Sequence, residues 1–268
     1  MSAMNHFFVF NGRRIARTFY LVLAALLSAG IVWVERDNIS VFAPQPPAAI
    51  YNVPTDRKVV ALTFDISWGD KRAGPILDVL KAKGVQNATF FLSSPWSKTH
   101  PDIIKRIVDE GYEIGSHGHK HDNYSQYSDE EIRKQITTAH GILTELTGKA
   151  PNLIRMPNGD FDKRVLQIAG DLGYKVIQWD TDSLDWKNPG VTNIIQRVVT
   201  RAHPGDIILL HASDSCKQTH EALPAIIDQL RAKGYEFATV SELLSQTETQ
   251  GKTVEDRSAW SELVAPSF

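Results

Sequence analysis

The sequence predicts an α/β fold built on a parallel sheet, and three observations lead there. Between Arg57 and Leu244, short runs of branched and aromatic residues alternate with amphipathic stretches of helical period. Three times a Gly-aromatic pair closes a helical stretch and opens a strand, at Gly111-Tyr112, Gly173-Tyr174 and Gly234-Tyr235. Charged and imidazole side chains gather after the predicted strands, which in parallel architectures converge on one face. The strands expected are Val59–Phe64, Ala88–Leu92, Tyr112–Gly115, Leu153–Met156, Lys175–Trp179, Asp206–Leu210 and Glu236–Thr239. Helices are expected over Pro75–Lys83, Pro101–Glu110, Lys163–Leu172, Thr192–Arg201 and Glu221–Lys233. A further one follows the capping box Ser128-Asp129-Glu130-Glu131 and ends at Thr147-Gly148. About seven strands suit a barrel one unit short of eight, and an open doubly wound sheet fits the periodicity equally.

The ends of the chain read differently. Residues 1–17 carry Arg13, Arg14 and Arg17 and form a basic, cytoplasmic N-terminus. Residues 18–34 hold no charge and predict a transmembrane anchor. As a helix that run rises about 25 Å, slightly short of a hydrocarbon core of about 27 to 30 Å. A cleaved signal peptide is the rival, given Ser28-Ala29-Gly30, but the apolar run continues past these small residues. The expected location is therefore the cell membrane, single-pass, with the main domain outside the cytoplasm. Residues 35–56 are a Pro-rich linker, 57–246 the domain, and 247–268 a polar tail.

The 268 residues carry 29 Lys and Arg against 31 Asp and Glu, so no basic field exists for a nucleic acid, and none is expected as a partner. One cysteine excludes a disulfide framework and a Cys-rich metal site. Nine histidines are present, and His117, His119 and His121 fall within five residues. At a strand end, a His117/His121 pair suits a divalent transition metal, with room for a carboxylate and water. Asp65 ends an otherwise apolar strand and serves as base or ligand. Arg155 would hold Asp65 ionised, or form a structural ion pair with it. His211, after the sixth strand, would be a general acid or a packed core histidine. Asp182 and Asp185 would orient His211 or Arg155, or cap the loop, and Trp186 would stack on a sugar or simply pack. Such a set hydrolyses an amide, an ester or a phosphoester equally well.

Five ordered motifs then resemble those of the NodB-type polysaccharide deacetylases, carbohydrate esterase family 4. They are Thr63-Phe64-Asp65, His117-x-x-x-His121, Arg155-Met156-Pro157-Asn158-Gly159, Asp182-Ser183-Leu184-Asp185-Trp186 and Leu209-Leu210-His211. Thr63-Phe64-Asp65-Ile66-Ser67-Trp68-Gly69 and His211-Ala212-Ser213-Asp214-Ser215 are similar to its PdaB-type sporulation branch. The resemblance implies a distorted (β/α) barrel and removal of N-acetyl groups from peptidoglycan or a related amino-sugar polymer, in sporulation. It implies Asp65 as base, His117 and His121 as ligands of zinc or cobalt, Arg155 positioning Asp65, and His211, oriented by Asp185, as acid. It also implies the Asn158 backbone at the oxyanion, with Trp186 and Leu209 lining the acetyl pocket. The family's third metal ligand is an Asp directly after the base, and here that position is Ile66. Asp65 moving to the metal, Asp70 reaching in, or weak or absent metal binding are the outcomes left open. The last of these describes a catalytically weak or inactive glycan-binding or morphogenetic protein.

Overall fold

A computed structural model describes residues 12–35 and 48–248. The expected basic N-terminus up to residue 11, the linker over 36–47 and the tail beyond 248 lie outside the described residues. The chain divides into two units at residues 46 and 47. In the first, α1 (Gly12–Glu35) is one continuous helix that contains the expected anchor. Among the described residues, however, no helix is long and apolar enough to cross a membrane. The anchor expected over 18–34 is thus present as a helix, and the span expected of it is not supported. Leu21, Leu26 and Leu27 on it are exposed.

The second unit contains nine strands: β1 (Ala49–Ile50), β2 (Val59–Ile66), β3 (Thr89–Leu92), β4 (Glu113–Ser116), β5 (Leu153–Ile154), β6 (Lys175–Ile177), β7 (Thr181–Asp182), β8 (Ile207–His211) and β9 (Glu236–Phe237). The sheet order is β1-β6-β5-β4-β3-β2-β8-β7, with β9 on β2, and every named pair is parallel. All seven expected strands are present, and β1 and β7 are added. The end strands β1 and β7 do not pair with each other among the described residues, so the sheet is a curled, incompletely closed barrel. Helices α2 (Ala73–Ala82), α3 (Ser94–Thr99), α4 (Pro101–Asp109), α5 (Asp129–Thr147), α6 (Lys163–Asp171), α7 (Val191–Arg201), α8 (Thr219–Ala232) and α9 (Val240–Glu248) complete it. The expected caps of α5 hold: Ser128 Oγ accepts from the Glu131 amide, and Gly148 adopts the left-handed conformation.

Alternation along β2 separates two kinds of interior. Val60, Leu62, Phe64 and Ile66 face the helices and join one apolar cluster with Ile76, Leu77, Leu223 and Ile227. Val59 and Ala61 point into the barrel, where Phe91, Leu153, Ile177 and Ile207 meet Val240, Leu243 and Leu244 of α9. That helix closes the barrel's lower end. Farther up the same inward face come Thr63 and Asp65, so the apolar filling gives way to a polar mouth.

The spacer reading needs correction at its end. Residues 49–50 pair with β6, Val53 is fully buried, its N–H donates to Gly205 O at 2.9 Å, and Asn52 bridges to Asp206. A Pro-containing segment without helical or strand period still seals an edge once its backbone groups find partners, and the pattern gave no sign of this. Gly205 has φ +76, and a Cβ there would lie 1.7 Å from Val53 O. Gly205→Ala is therefore expected to cost about 2 to 4 kcal/mol of unfolding free energy, measured by urea denaturation, because it breaks this seal as well as the backbone preference.

Candidate active site

The site is built on strand ends. Parallel registers place Asp65 beside His211 on one side and beside Phe91 on the other. His117 follows the last residue of β4, and Arg155 follows β5 with its N–H bonded to Ser116 O. A cavity of about 570 Å³ opens over these ends and is lined by Asp65, His117, His121, Asn158, Trp186, Leu209 and His211, together with Trp68, Trp179 and Asp182. The residues expected at the mouth thus come together from separate parts of the sequence.

Arg155 has no exposed surface. Its Nη1 donates to Asp65 Oδ1 at 2.8 Å and to Thr63 Oγ1 at 2.9 Å, and its Nη2 donates to Gln178 O at 2.9 Å. The guanidinium lies 4.2 Å above the Phe91 ring. Burial works against an ionised Asp65, but the charges of Arg155, His117 and His211 and the Arg155 hydrogen bond outweigh it and hold the carboxyl below its ordinary range. Thr63 belongs to this group too, since its hydroxyl donates to Ile208 O and accepts from Arg155.

The histidine loop is pinned at each step. The Gly118 backbone is left-handed, φ +74, and a Cβ there would meet the Tyr124 hydroxyl at 2.3 Å. That hydroxyl accepts the His119 N–H, and Gln135 Oε1 accepts that of Lys120. His119 is turned aside to Ser94 Oγ, at 2.8 Å. His117 Nδ1 bonds to the Arg155 carbonyl at 2.9 Å, which makes Nδ1 the N–H and leaves Nε2 with its lone pair. Burial pushes His117 down to about 4, so the ring is neutral near pH 7. Its Nε2 is 3.8 Å from Asp65 Oδ2, and its ring centroid is 5.2 Å from that of His121. Two imidazoles and one carboxylate oxygen are donors of the kind a divalent cation takes, but their ligand atoms do not all lie within 4.8 Å of one another, so the set is not closed around a cation in this arrangement.

Of the two substitutes for the missing ligand, Asp65 faces His117 and Asp70 lies elsewhere. Ile66 is fully buried among the helix-facing apolar residues, on the opposite side of β2 from Asp65. Asp70 does not reach the cavity as the sequence allowed: it is exposed and bonded to His100 Nε2 at 2.6 Å. Asp180, directly after the expected strand Lys175–Trp179, holds Asn52 and His203.

Opposite the histidine pair, His211 Nδ1 donates to Asp185 Oδ1 at 2.7 Å, while Asp185 Oδ2 accepts from the His211 backbone N–H and from Thr219 Oγ1. Burial disfavours a charged His211, but the Asp185 charge and hydrogen bond, with Asp65 and Asp182, raise its pKa above the ordinary value. Asp182 caps Leu184 N–H at 2.8 Å and does not contact His211 or Arg155 through any hydrogen bond. Among the described residues, Asp185, His211 and Cys216 are the trio whose ligand atoms lie within 4.8 Å of one another. They make a poor metal site, because the Asp185 oxygens are already engaged and burial pushes the Cys216 thiol up to about 12, far from thiolate.

Residues 52–177 match the polysaccharide deacetylase family. The peptidoglycan-N-acetylglucosamine deacetylase of Bacillus cereus is 35% identical over 207 residues, covering 76% of this chain and 74% of that one. The chain belongs to the polysaccharide deacetylase family. An uncharacterised Bacillus subtilis protein, YlxY, is 32% identical over 201 residues, and the alignment spans 75% of this chain but only 62% of its length. Among solved structures, wild-type BA3943 of Bacillus anthracis, described as a family 4 carbohydrate esterase pseudoenzyme, superposes with a TM-score of 0.70 at 36% identity over 74% of this chain and 69% of that one. A BA3943 mutant described as having restored enzymatic activity matches at 37% identity, with the same TM-score.

Trp68, Trp179, Thr63 and Thr219 are site residues that sequence reasoning did not assign. Thr63 and Trp68 stood in the quoted motif, but Thr219 joins from the start of α8 with no local signal. The dyad yields a titration test. In Asp185→Asn, burial of His211 loses its main opposing charge, so the His211 pKa is expected to fall from above 6.5 to 6.5 or lower, followed by NMR of the imidazole protons.

Proposed function

We propose that the chain is a metal-dependent N-deacetylase of peptidoglycan or a related amino-sugar polymer. The observation that carries this reading is the pairing in one cavity of Asp65, kept ionised by Arg155, with His211, whose pKa Asp185 raises. Two groups with pKa values pushed apart are what a reaction needs when it takes a proton from water and returns one to a leaving amine. His117 and His121, with Asp65 Oδ2 facing them, would hold the cation. When bound, a divalent zinc or cobalt ion supplies Lewis acidity toward the acetyl carbonyl and the attacking water. Asp65 accepts the proton of that water through Oδ2, while Arg155 keeps Oδ1. The Asn158 backbone, left-handed at φ 59, borders the acetyl oxygen. Leu209 and Trp186 shape the methyl side, and His211 protonates the departing nitrogen from Nε2, because Nδ1 is engaged by Asp185.

The work site is proposed to lie outside the cytoplasmic membrane, with the N-terminal helix as the tether. Arg13, Arg14 and Arg17 before the uncharged run 18–34, and the exposed leucines of α1, support that placement. A role in sporulation rests on the likeness of the Thr63–Gly69 and His211–Ser215 runs to the sporulation branch.

A second reading is favoured by Ile66: a glycan-binding or morphogenetic protein on the same barrel, with little or no turnover. Its seat in the apolar layer leaves Asp65, among the described residues, as the carboxylate facing His117, so a cation held there would compete for the base. The similarity to BA3943 agrees with this reading.

One experiment separates them. The protein supplied with zinc or cobalt should release acetate from N-acetylated glycan, and His121→Ala should abolish the release. His211→Ala should lower turnover on the order of 10²- to 10⁴-fold. No acetate above the His121→Ala background, across metals and glycans, rejects the hydrolase. Glycan binding that survives chelation and Asp65→Asn would then establish the second reading. Ile66→Asp tests whether the end of β2 can turn position 66 toward the histidines: zinc affinity raised at least about tenfold by calorimetry, one added ligand contributing more than about 1.4 kcal/mol, shows that it does, and unchanged affinity shows that the carboxylate stays on the helix-facing side. The same change should lower the metal-free melting temperature, because a carboxylate replaces a buried isoleucine.

A further inference from the structure

The turn after β7 has two sides. Asp182 and Trp186 line the catalytic cavity, whereas Ser183 and Leu184 face a second hollow of about 350 Å³ whose other wall is α7, with Asn193, Gln196, Arg197 and Arg201. Arg197 and Arg201 are one helical turn apart, so both guanidinium groups serve the same hollow.

Among the described residues neither of these two cations pairs with a carboxylate, and the Asp182 charge only partly offsets what works against Arg197. Arg57, Arg106, Arg133, Arg155 and Arg164 each hold a carboxylate. Arg197 instead donates Nε–H to the Asp182 carbonyl at 2.6 Å, and among the described residues neither its terminal nitrogens nor Arg201 makes a hydrogen bond or ion pair with the protein. Burial and the neighbouring Arg201 charge both work against the charge on Arg197. An anion in the hollow would relieve both effects, and the guanidinium forks suit the paired oxygens of a carboxylate or phosphate. The wall between the cavities is also strained. Leu184 has φ 55, in a region bulky side chains avoid, and is kept there by the Asp182 side chain on its N–H and by Arg197 on the Asp182 carbonyl.

We propose that this second hollow binds a carboxylate or phosphate group carried by the same polymer whose N-acetyl group enters the catalytic cavity, with Arg201 and the terminal nitrogens of Arg197 as its ligands. The proposal rests on the glycan reading above for the polymer, and on the unpaired arginines alone for the oxyanion. The preferred substrate is then an acidic glycan and not a neutral one.

The test uses the full chain, inorganic phosphate, and two N-acetylated oligosaccharides of equal length, one neutral and one bearing carboxylates. Arg201→Gln should weaken the carboxylated oligosaccharide about fivefold by calorimetry and leave the neutral one unchanged, with Arg201→Lys intermediate. Phosphate should shift the amide resonances of residues 183–201 in the wild type, less so in Arg201→Gln, and should compete only with the carboxylated oligosaccharide. Equal affinities of wild type and Arg201→Gln for the carboxylated oligosaccharide, or equal loss for both oligosaccharides, overturns the proposal. If phosphate shifts those resonances while neither oligosaccharide binds, the oxyanion site stands, and both its polymer source and the glycan reading fall. If both oligosaccharides bind equally well and phosphate has no effect, the glycan reading stands and the anion site falls.

Discussion

A guanidinium with no contact with solvent sits at the centre of the sheet, and the site depends on how its charge is met. Arg155 is balanced by one carboxylate, Asp65, and by carbonyls and a hydroxyl from β2 and the end of β6. Removing either partner of such a pair leaves a buried charge unmatched and costs far more than the pair itself contributes. The same residue fixes two further properties. Its hydrogen bond chooses which Asp65 oxygen remains available, and its own carbonyl selects the tautomer of His117. One side chain and its backbone thus set the free Asp65 oxygen, the free His117 nitrogen and the ring orientation together.

Much of this was legible because the period-2 pattern and the polar strand ends are local signals. The seven central strands, the six longer helices and the strand-end positions of Asp65, His117, Arg155 and His211 follow from them. What escaped is what depends on distant partners. β1 and β7 are two residues long, too short to show a period, and exist because neighbouring strands supply their hydrogen bonds. Val240, Leu243 and Leu244 lie within the expected domain but in no expected helix or strand, and they fill the barrel from below. Thr219 carries no motif, and only the fold brings its hydroxyl to Asp185. Asp70 illustrates the opposite error: proximity in sequence suggested a place at the mouth, and another partner, His100, claimed it.

Ile66 shows the same tension at one position. To the family pattern it is a lost ligand; to the strand it is a well-placed apolar residue among Phe64, Leu62 and Val60. Its packing is satisfied, so nothing in the barrel presses for its replacement. The polar side chains around the cavity nonetheless keep their bonds, from Thr63 and Arg155 to Asp185 and Thr219. Folding selects for the isoleucine and chemistry for the surrounding set, and the two demands meet on adjacent residues of β2.

The closure of the barrel by α9 bears on how the chain comes to be folded. β2 is made early, yet its β8 neighbour lies some 145 positions later, as the Thr63 to Ile208 bond records, and β9 and α9 come later still. A ribosome adding residues in order cannot deliver a sealed interior until Leu243 and Leu244 have emerged. Before then the underside, beneath Phe91 and Ile207, has no cover. The underside of the sheet therefore stays open until α9 arrives to cover it.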